Sequence, residues 1–198
     1  MKQTRSFRVS YVLLWPIVHL LWPIRVHHKE RLPEGPMVLC APHSSMVDPI
    51  LLMMALGMRF FPRFMAKKEL FEKPLLGKYL TSVGVFPVDR GSSDLHAIRT
   101  AMGILKDGGI LGIFPEGTRV HTAETGAAHN GAIMLASRTG ASIVPVWLTR
   151  EKKLFRRVDV VIGEPYTLPR LTGGTEAYQP HAAQLMERIG SLKGETGK

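Results

Sequence analysis

An apolar run stopped by proline, then a short polar loop, then a second apolar run opened by proline and closed by glycine, leaves this chain few folds. The first run, Met37-Val38-Leu39-Cys40-Ala41, has the length and content of a buried strand, and Pro42 ends it. The second, Ile50 to Leu56, follows Asp48-Pro49 and stops at Gly57. Proline in the first turn and glycine past the last are the start and stop signals of a helix. Between the runs lies His43-Ser44-Ser45-Met46-Val47-Asp48. His43 therefore leaves the carboxyl end of a strand, and Asp48 stands where a helix begins. A tight loop can fold that carboxylate back onto the imidazole, and if Asp48 accepts a hydrogen bond from one ring nitrogen, the other can take a substrate proton. The same residues also read as a capping carboxylate, worth about 1 kcal/mol, beside an ordinary loop histidine. The two readings are compatible.

The pattern continues along the chain. Strands are expected at 63–66, 83–88, 110–114, 143–148 and 157–162. Helices are expected over 68–80 (bent by Pro74), from a Ser92-Ser93 cap to Lys106, over 131–139 and over 180–192. Such alternation predicts an α/β fold, with a central, largely parallel β-sheet flanked by helices. At 198 residues the chain suits one domain with a full hydrophobic core, 33–198, preceded by an N-terminal segment, 1–32. Lysine and arginine number 26 against 16 acids, a net charge of +10 that calls for an anionic partner. Nucleic acid is disfavoured, because the cations are scattered and no zinc-knuckle or aromatic RNA-binding pattern occurs. The single cysteine, Cys40, excludes an internal disulfide and a multi-cysteine zinc site; at the end of an apolar run it reads as a small buried hydrophobe.

The N-terminal segment opens with Lys2, Arg5 and Arg8 and is then apolar from Val9 to Ile24 except at Ser10 and His19. No small-residue cleavage site follows, which disfavours a secretory signal. A spanning helix needs about 20 residues, and Pro16 and Pro23 interrupt this one, with cations at both ends. The expected form is a kinked membrane-interface helix. Arg8, Trp15, His19 and Trp22 would share one face, with Val9, Leu13, Ile17, Leu20 and Ile24 opposite. A helix packed on its own domain is the alternative.

Several expected strands end in polar groups: Lys67-Lys68 after the second, Asp89-Arg90 after the third, and Pro115-Glu116-Gly117-Thr118-Arg119 after Phe114. Singly, each is explained by a solvated pair or a surface ion pair. Their recurrence at successive strand ends points to a site, because open α/β sheets bind ligands beyond those ends. Guanidinium groups there would suit a phosphate.

Taken in order, His43-Ser44-Ser45-Met46-Val47-Asp48, Lys67-Lys68-Glu69-Leu70, Phe86-Pro87-Val88-Asp89-Arg90-Gly91, Phe114-Pro115-Glu116-Gly117-Thr118-Arg119 and Ile143-Val144-Pro145-Val146 resemble the 1-acyl-glycerol-3-phosphate acyltransferase (PlsC-like) family, over about residues 36–165. The resemblance implies transfer of a fatty acyl group from acyl-CoA or acyl-carrier protein to a glycerophosphate hydroxyl. The preferred acceptor is lysophosphatidic acid, which gives phosphatidic acid. It implies His43 as general base, Asp48 as its orienting partner, and Lys67, Lys68, Arg90 and Arg119 around the acceptor phosphate. Glu116 would face the glycerol, with Gly117 and Thr118 allowing close approach and Pro145 shaping a pocket wall. Ser45 would serve the loop's own hydrogen bonds. No metal or cofactor is implied beyond the thioester co-substrate, and the expected place is the cytoplasmic face of a membrane, with membrane lipid as partner. Two departures stand out: Pro42 where relatives often carry asparagine, and Asn130 where they often carry lysine. His121, Glu124 and His129 lack metal-ligand spacing, and no Gly-x-Ser-x-Gly elbow supports a hydrolase. Other acceptors (glycerol 3-phosphate, another lysophospholipid, a different lipid) and a non-catalytic lipid-binding role remain as alternatives.

Overall fold

The structure, a computed structural model, describes residues 3–89, 94–115 and 126–196, and of 126–129 the backbone alone. Its strands are β1 (Ile24–His27), β2 (Met37–Cys40), β3 (Pro62–Lys67), β4 (Phe86–Val88), β5 (Ile110–Ile113), β6 (Ser142–Leu148) and β7 (Val158–Ile162). Its helices are α1 (Arg5–Leu21), α2 (Asp48–Leu56), α3 (Pro74–Ser82), α4 (Leu95–Lys106), α5 (Gly126–Thr139) and α6 (Thr175–Ser191). The strands form one seven-stranded sheet in the order β1-β7-β6-β2-β5-β3-β4. All pairings are parallel except β6 with β7.

The expected α/β architecture is thus what forms, and β2 shows why its sequence lacks polar alternation. Every residue of β2 is buried, because both faces of the sheet are covered. Val38 and Cys40 point to the side of α4, α5 and α6, while Met37 and Leu39 point to that of α1 and α2. Cys40 is fully buried, and burial pushes its thiol far above the range in which a thiolate forms.

Several boundaries differ from the sequence reading. The stretch 68–80 divides into a 3₁₀ turn at Lys68–Leu70 and α3, which starts at Pro74, because proline without an N–H is better placed in a first turn than inside a helix. The third expected strand shrinks to 86–88 because Gly84 turns the chain at φ 86°. The cap of α4 is Asp94, whose side chain accepts the Ala97 N–H at 2.9 Å. Helices α5 and α6 each start several residues earlier than expected, and α6 carries Pro180 within it.

The largest difference is at the N-terminus. Helix α1 has two apolar faces, and one of them packs on the domain. Phe7 and Val18 are buried, Tyr11 and Leu14 join the same cluster, and the Phe7 ring meets Phe61 at 4.5 Å. The other face, Val9, Val12, Leu13, Ile17 and Leu20, lies 51–69% exposed. Trp22 and Ile24 leave the expected helical faces because α1 ends at Leu21; Trp22 packs inward and Ile24 begins β1. A boundary at residue 32 would therefore cut β1 from a sheet to which it is hydrogen-bonded through β7. Among the described residues, no helix is long and apolar enough to cross a membrane.

Candidate active site

Because β2, β3, β4, β5 and β6 run parallel, their carboxyl ends share one edge of the sheet. The loop after β2 carries His43 there, and α2 begins at Asp48. The Asp48 carboxylate does not cap α2; the residue at that position is Val47, which makes no side-chain cap bond. It turns back into the loop instead. Its Oδ2 accepts hydrogen bonds from His43 Nδ1 at 3.0 Å and from the Ser44 and Ser45 N–H groups, each at 2.7 Å. Ser45 Oγ accepts the Val47 N–H at 3.4 Å, which keeps this serine in the loop's own bonding.

The other carboxylate oxygen meets a residue that the sequence reading passed over. Lys152 Nζ lies 2.5 Å from Asp48 Oδ1, with the lysine side chain 4% exposed and the aspartate fully buried. The ammonium pairs with Oδ1 and neutralises the buried carboxylate. Lys152 also donates to Ser44 Oγ at 2.6 Å, and that hydroxyl donates to the Arg150 carbonyl at 2.9 Å. Burial alone would push the Asp48 carboxyl up. Hydrogen bonding from His43, Lys152 and the Ser45 N–H, with the Lys152 charge, outweighs burial and holds it below its usual range. An ionised carboxylate only accepts hydrogen bonds, so Nδ1 of a neutral His43 carries the proton and Nε2 holds the lone pair.

A column of rings fixes the imidazole plane. His43 stacks on Phe114 at 4.4 Å between centroids, and Phe114 stacks on Phe64 at 5.7 Å. Phe64 lies over β5 where Gly112 leaves room; a Cβ there would stand 2.1 Å from the ring. The sequence placed both only in expected strands, 63–66 and 110–114, with Phe114 opening the Phe114-Pro115-Glu116 motif, and gave neither a role at the site.

Of the anticipated cations, Lys67 ends β3 and is exposed. Lys68 forms an ion pair with Asp89 across the β3–β4 strand ends, and that hydrogen bond and charge raise its pKa. Arg90, Glu116, Gly117, Thr118 and Arg119 lie outside the described residues, as do Ser92, Ser93 and most of the loop with His121 and Glu124. Pro145 sits in β6 in register with Cys40, and its carbonyl accepts the Gly163 N–H at 2.8 Å. The signal that could have found Lys152 is the strand-end rule itself: it follows β6, whose carboxyl end lies beside that of β2.

A histidine held by a buried, charge-neutralised aspartate at this edge has one ring nitrogen available to accept a proton, and comparison with known proteins gives the class of the chain. Residues 23–149 match the family model described as Acyltransferase, and the chain belongs to that family. It is 34% identical over 194 residues to the 1-acyl-sn-glycerol-3-phosphate acyltransferase of Bacillus subtilis (strain 168), covering 89% of this chain and 94% of that protein. It is 32% identical over 162 residues to the enzyme of the same name from Streptococcus pneumoniae (strain ATCC BAA-255 / R6), covering 75% of this chain and 59% of that one. The fold is shared with the crystal structure of the 1-acyl-sn-glycerophosphate (LPA) acyltransferase PlsC from Thermotoga maritima. The TM-score is 0.66 at 20% identity, over 98% of this chain and 78% of that one. The chain is a PlsC-like acyltransferase.

Proposed function

We propose that this enzyme transfers a fatty acyl group from the thioester of acyl-CoA or acyl-carrier protein to the free hydroxyl of lysophosphatidic acid, giving phosphatidic acid. The names of the relatives support the acceptor; the His43–Asp48 contact at 3.0 Å, with Asp48 fully buried and ionised, carries the mechanism. His43 Nε2 takes the hydroxyl proton as the oxygen attacks the thioester carbonyl, and Asp48 stabilises the imidazolium that forms. Collapse of the tetrahedral intermediate expels the thiolate, which recovers the proton from His43. The thioester is already activated, so no covalent enzyme intermediate is needed. Lys67, Lys68, Arg90 and Arg119 hold the acceptor phosphate in this reading, with Glu116, Gly117 and Thr118 along its glycerol. The outward face of α1 lies in the membrane interface, where the lipid acceptor resides.

A positioned base contributes roughly 10²–10⁴-fold. His43→Ala should therefore lower kcat by at least about 10²-fold while the melting temperature and vesicle binding stay as in the wild type. Turnover within a few-fold of wild type removes His43 from the role of base. A panel of acceptors, with lysophosphatidic acid preferred over glycerol 3-phosphate and over lysophospholipids with larger head groups, tests the substrate.

A further inference from the structure

The β6–β7 connection does two things at once. At its start, the Arg150 carbonyl and the Lys152 ammonium reach the catalytic loop at Ser44 and Asp48. Next comes a turn, Lys153-Leu154-Phe155-Arg156, closed by the Arg156 N–H on the Lys153 carbonyl at 3.1 Å. Turn tips are normally polar or glycine, yet here Leu154 is 56% and Phe155 66% exposed. Phe155 adopts φ 60°, the left-handed region that a bulky side chain rarely enters and that glycine or asparagine normally fills. The strained residue is also tied down: its N–H donates to the Leu21 carbonyl, the last residue of α1, at 2.6 Å. The turn therefore abuts the end of α1 at which Ile17 and Leu20 are exposed. At the helix's other end, exposed Tyr79 of α3 reaches Ser10 at 3.2 Å, and Leu75, one turn before Tyr79, is 86% exposed. Lys153, Arg156, Arg157 and Arg25 are exposed near the turn; Lys153 pairs with Glu151 at 3.1 Å and Arg157 with Asp159 at 3.2 Å, so four cations stand against two acids there.

We propose that the Leu154–Phe155 turn is a second lipid-contacting element, entering the outer part of an anionic phospholipid layer beside the outward face of α1, and that through Lys152 this contact holds the catalytic loop in place. The inference rests on the membrane reading of α1 given above. Two large apolar side chains at a strained turn, ringed by cations and continuous with an apolar helix face, match a surface with an apolar interior and anionic head groups. Lys152 precedes the turn by a single residue, so a turn fixed in lipid fixes the ammonium on Asp48 as well.

The test uses the full chain in three forms: wild type, Leu154→Ser with Phe155→Ser, and Leu13→Ser with Leu20→Ser. Each is sedimented with vesicles of phosphatidylglycerol and phosphatidylcholine. All the substituted side chains are exposed, so melting temperatures should match. The turn variant is expected to lose at least fivefold in vesicle partitioning. It should also lose turnover on vesicle-embedded acceptor, but not on a short-chain acceptor dispersed as monomers. If the wild type fails to sediment, the membrane reading and this inference fall together. If the α1 variant is released while the turn variant partitions like the wild type, the turn inference alone is overturned. As an independent readout, Leu154→Cys carrying an environment-sensitive dye should be quenched by lipid-borne quenchers; Cys40, fully buried, stays unlabelled. Emission unaffected by vesicles also overturns the inference.

Discussion

Replacing Lys152 by methionine keeps the length and apolar stem of the side chain and removes its ammonium, both the charge beside Asp48 and the hydrogen bond to Ser44 Oγ. Asp48 Oδ1, fully buried, then loses the ammonium that stands 2.5 Å from it. Breaking a buried ion pair from one side costs about 3–5 kcal/mol, because the remaining charge is left uncompensated. Asp48 keeps three hydrogen bonds on its other oxygen, which places the expected loss near the lower end, about 3 kcal/mol. For a chain of this size that is a fall of roughly 6–12 °C in melting temperature. Lys152→Arg should recover part of the loss, as it retains the cation. Adding Asp48→Asn to Lys152→Met should recover stability but not activity, since removing both partners leaves no orphaned charge yet leaves no ionised acid behind the imidazole. Steady-state acyl transfer supplies the second measurement. If Lys152 acts through Asp48 on the base, kcat falls while the acceptor KM holds; if it binds the acceptor phosphate, KM rises instead. A Lys152→Met enzyme that melts within about 1 °C of the wild type, well inside the shift set by the ion-pair argument, would refute the assigned pairing.

Two further outcomes follow from the same geometry, and a third from the phosphate role proposed for Arg119. Asp48 is held below the usual carboxylate range, so its stabilisation is complete above the unfolded-state value of about 3.9 and is lost as pH falls through the folded-state value. Lys152→Met weakens that depression, so its acid-unfolding midpoint, followed by circular dichroism, should lie above that of the wild type; equal midpoints would count against the contact. Gly112→Ala places a Cβ 2.1 Å from the Phe64 ring, which is almost fully buried. Overpacking of this kind costs about 1–3 kcal/mol, and the displaced ring should carry Phe114 and His43 with it, lowering kcat; Phe64→Leu in the same chain should restore both stability and part of kcat. Arg119→Ala should raise KM for the phosphorylated acceptor several-fold, and an equal effect on an unphosphorylated acceptor would contradict the phosphate role.

What the sequence displayed and what it hid divide by range. The strand–loop–helix around His43 is local: Pro42, Pro49 and Gly57 mark its boundaries within a few residues, and the alternation of such units implies the parallel sheet. Strand β1 was hidden because Ile24-Arg25-Val26-His27 is too short for a period to emerge, and its pairing partner Val158 lies far down the chain. Lys152 was hidden for the same reason: within Arg150-Glu151-Lys152-Lys153 it looks like one charge in a solvated run, and the contact it makes at Ser44 spans 108 residues. Helix α1 misled in a different way, since both of its faces are apolar and periodicity alone cannot say which one the domain covers. Phe7, Tyr11, Leu14 and Val18 answer that by packing on the sheet side. One consequence bears directly on membrane experiments. Deleting residues 1–24 would uncover that cluster and remove the first residue of β1, so loss of vesicle binding after such a deletion would be confounded with damage to the fold. Substitution on the outward face, at Leu13 and Leu20, changes the surface that meets lipid and leaves the packed face alone. If such a variant keeps its melting temperature and still sediments with anionic vesicles as the wild type does, the helix face is not the anchor, and the cations and the Leu154–Phe155 turn must supply the attachment.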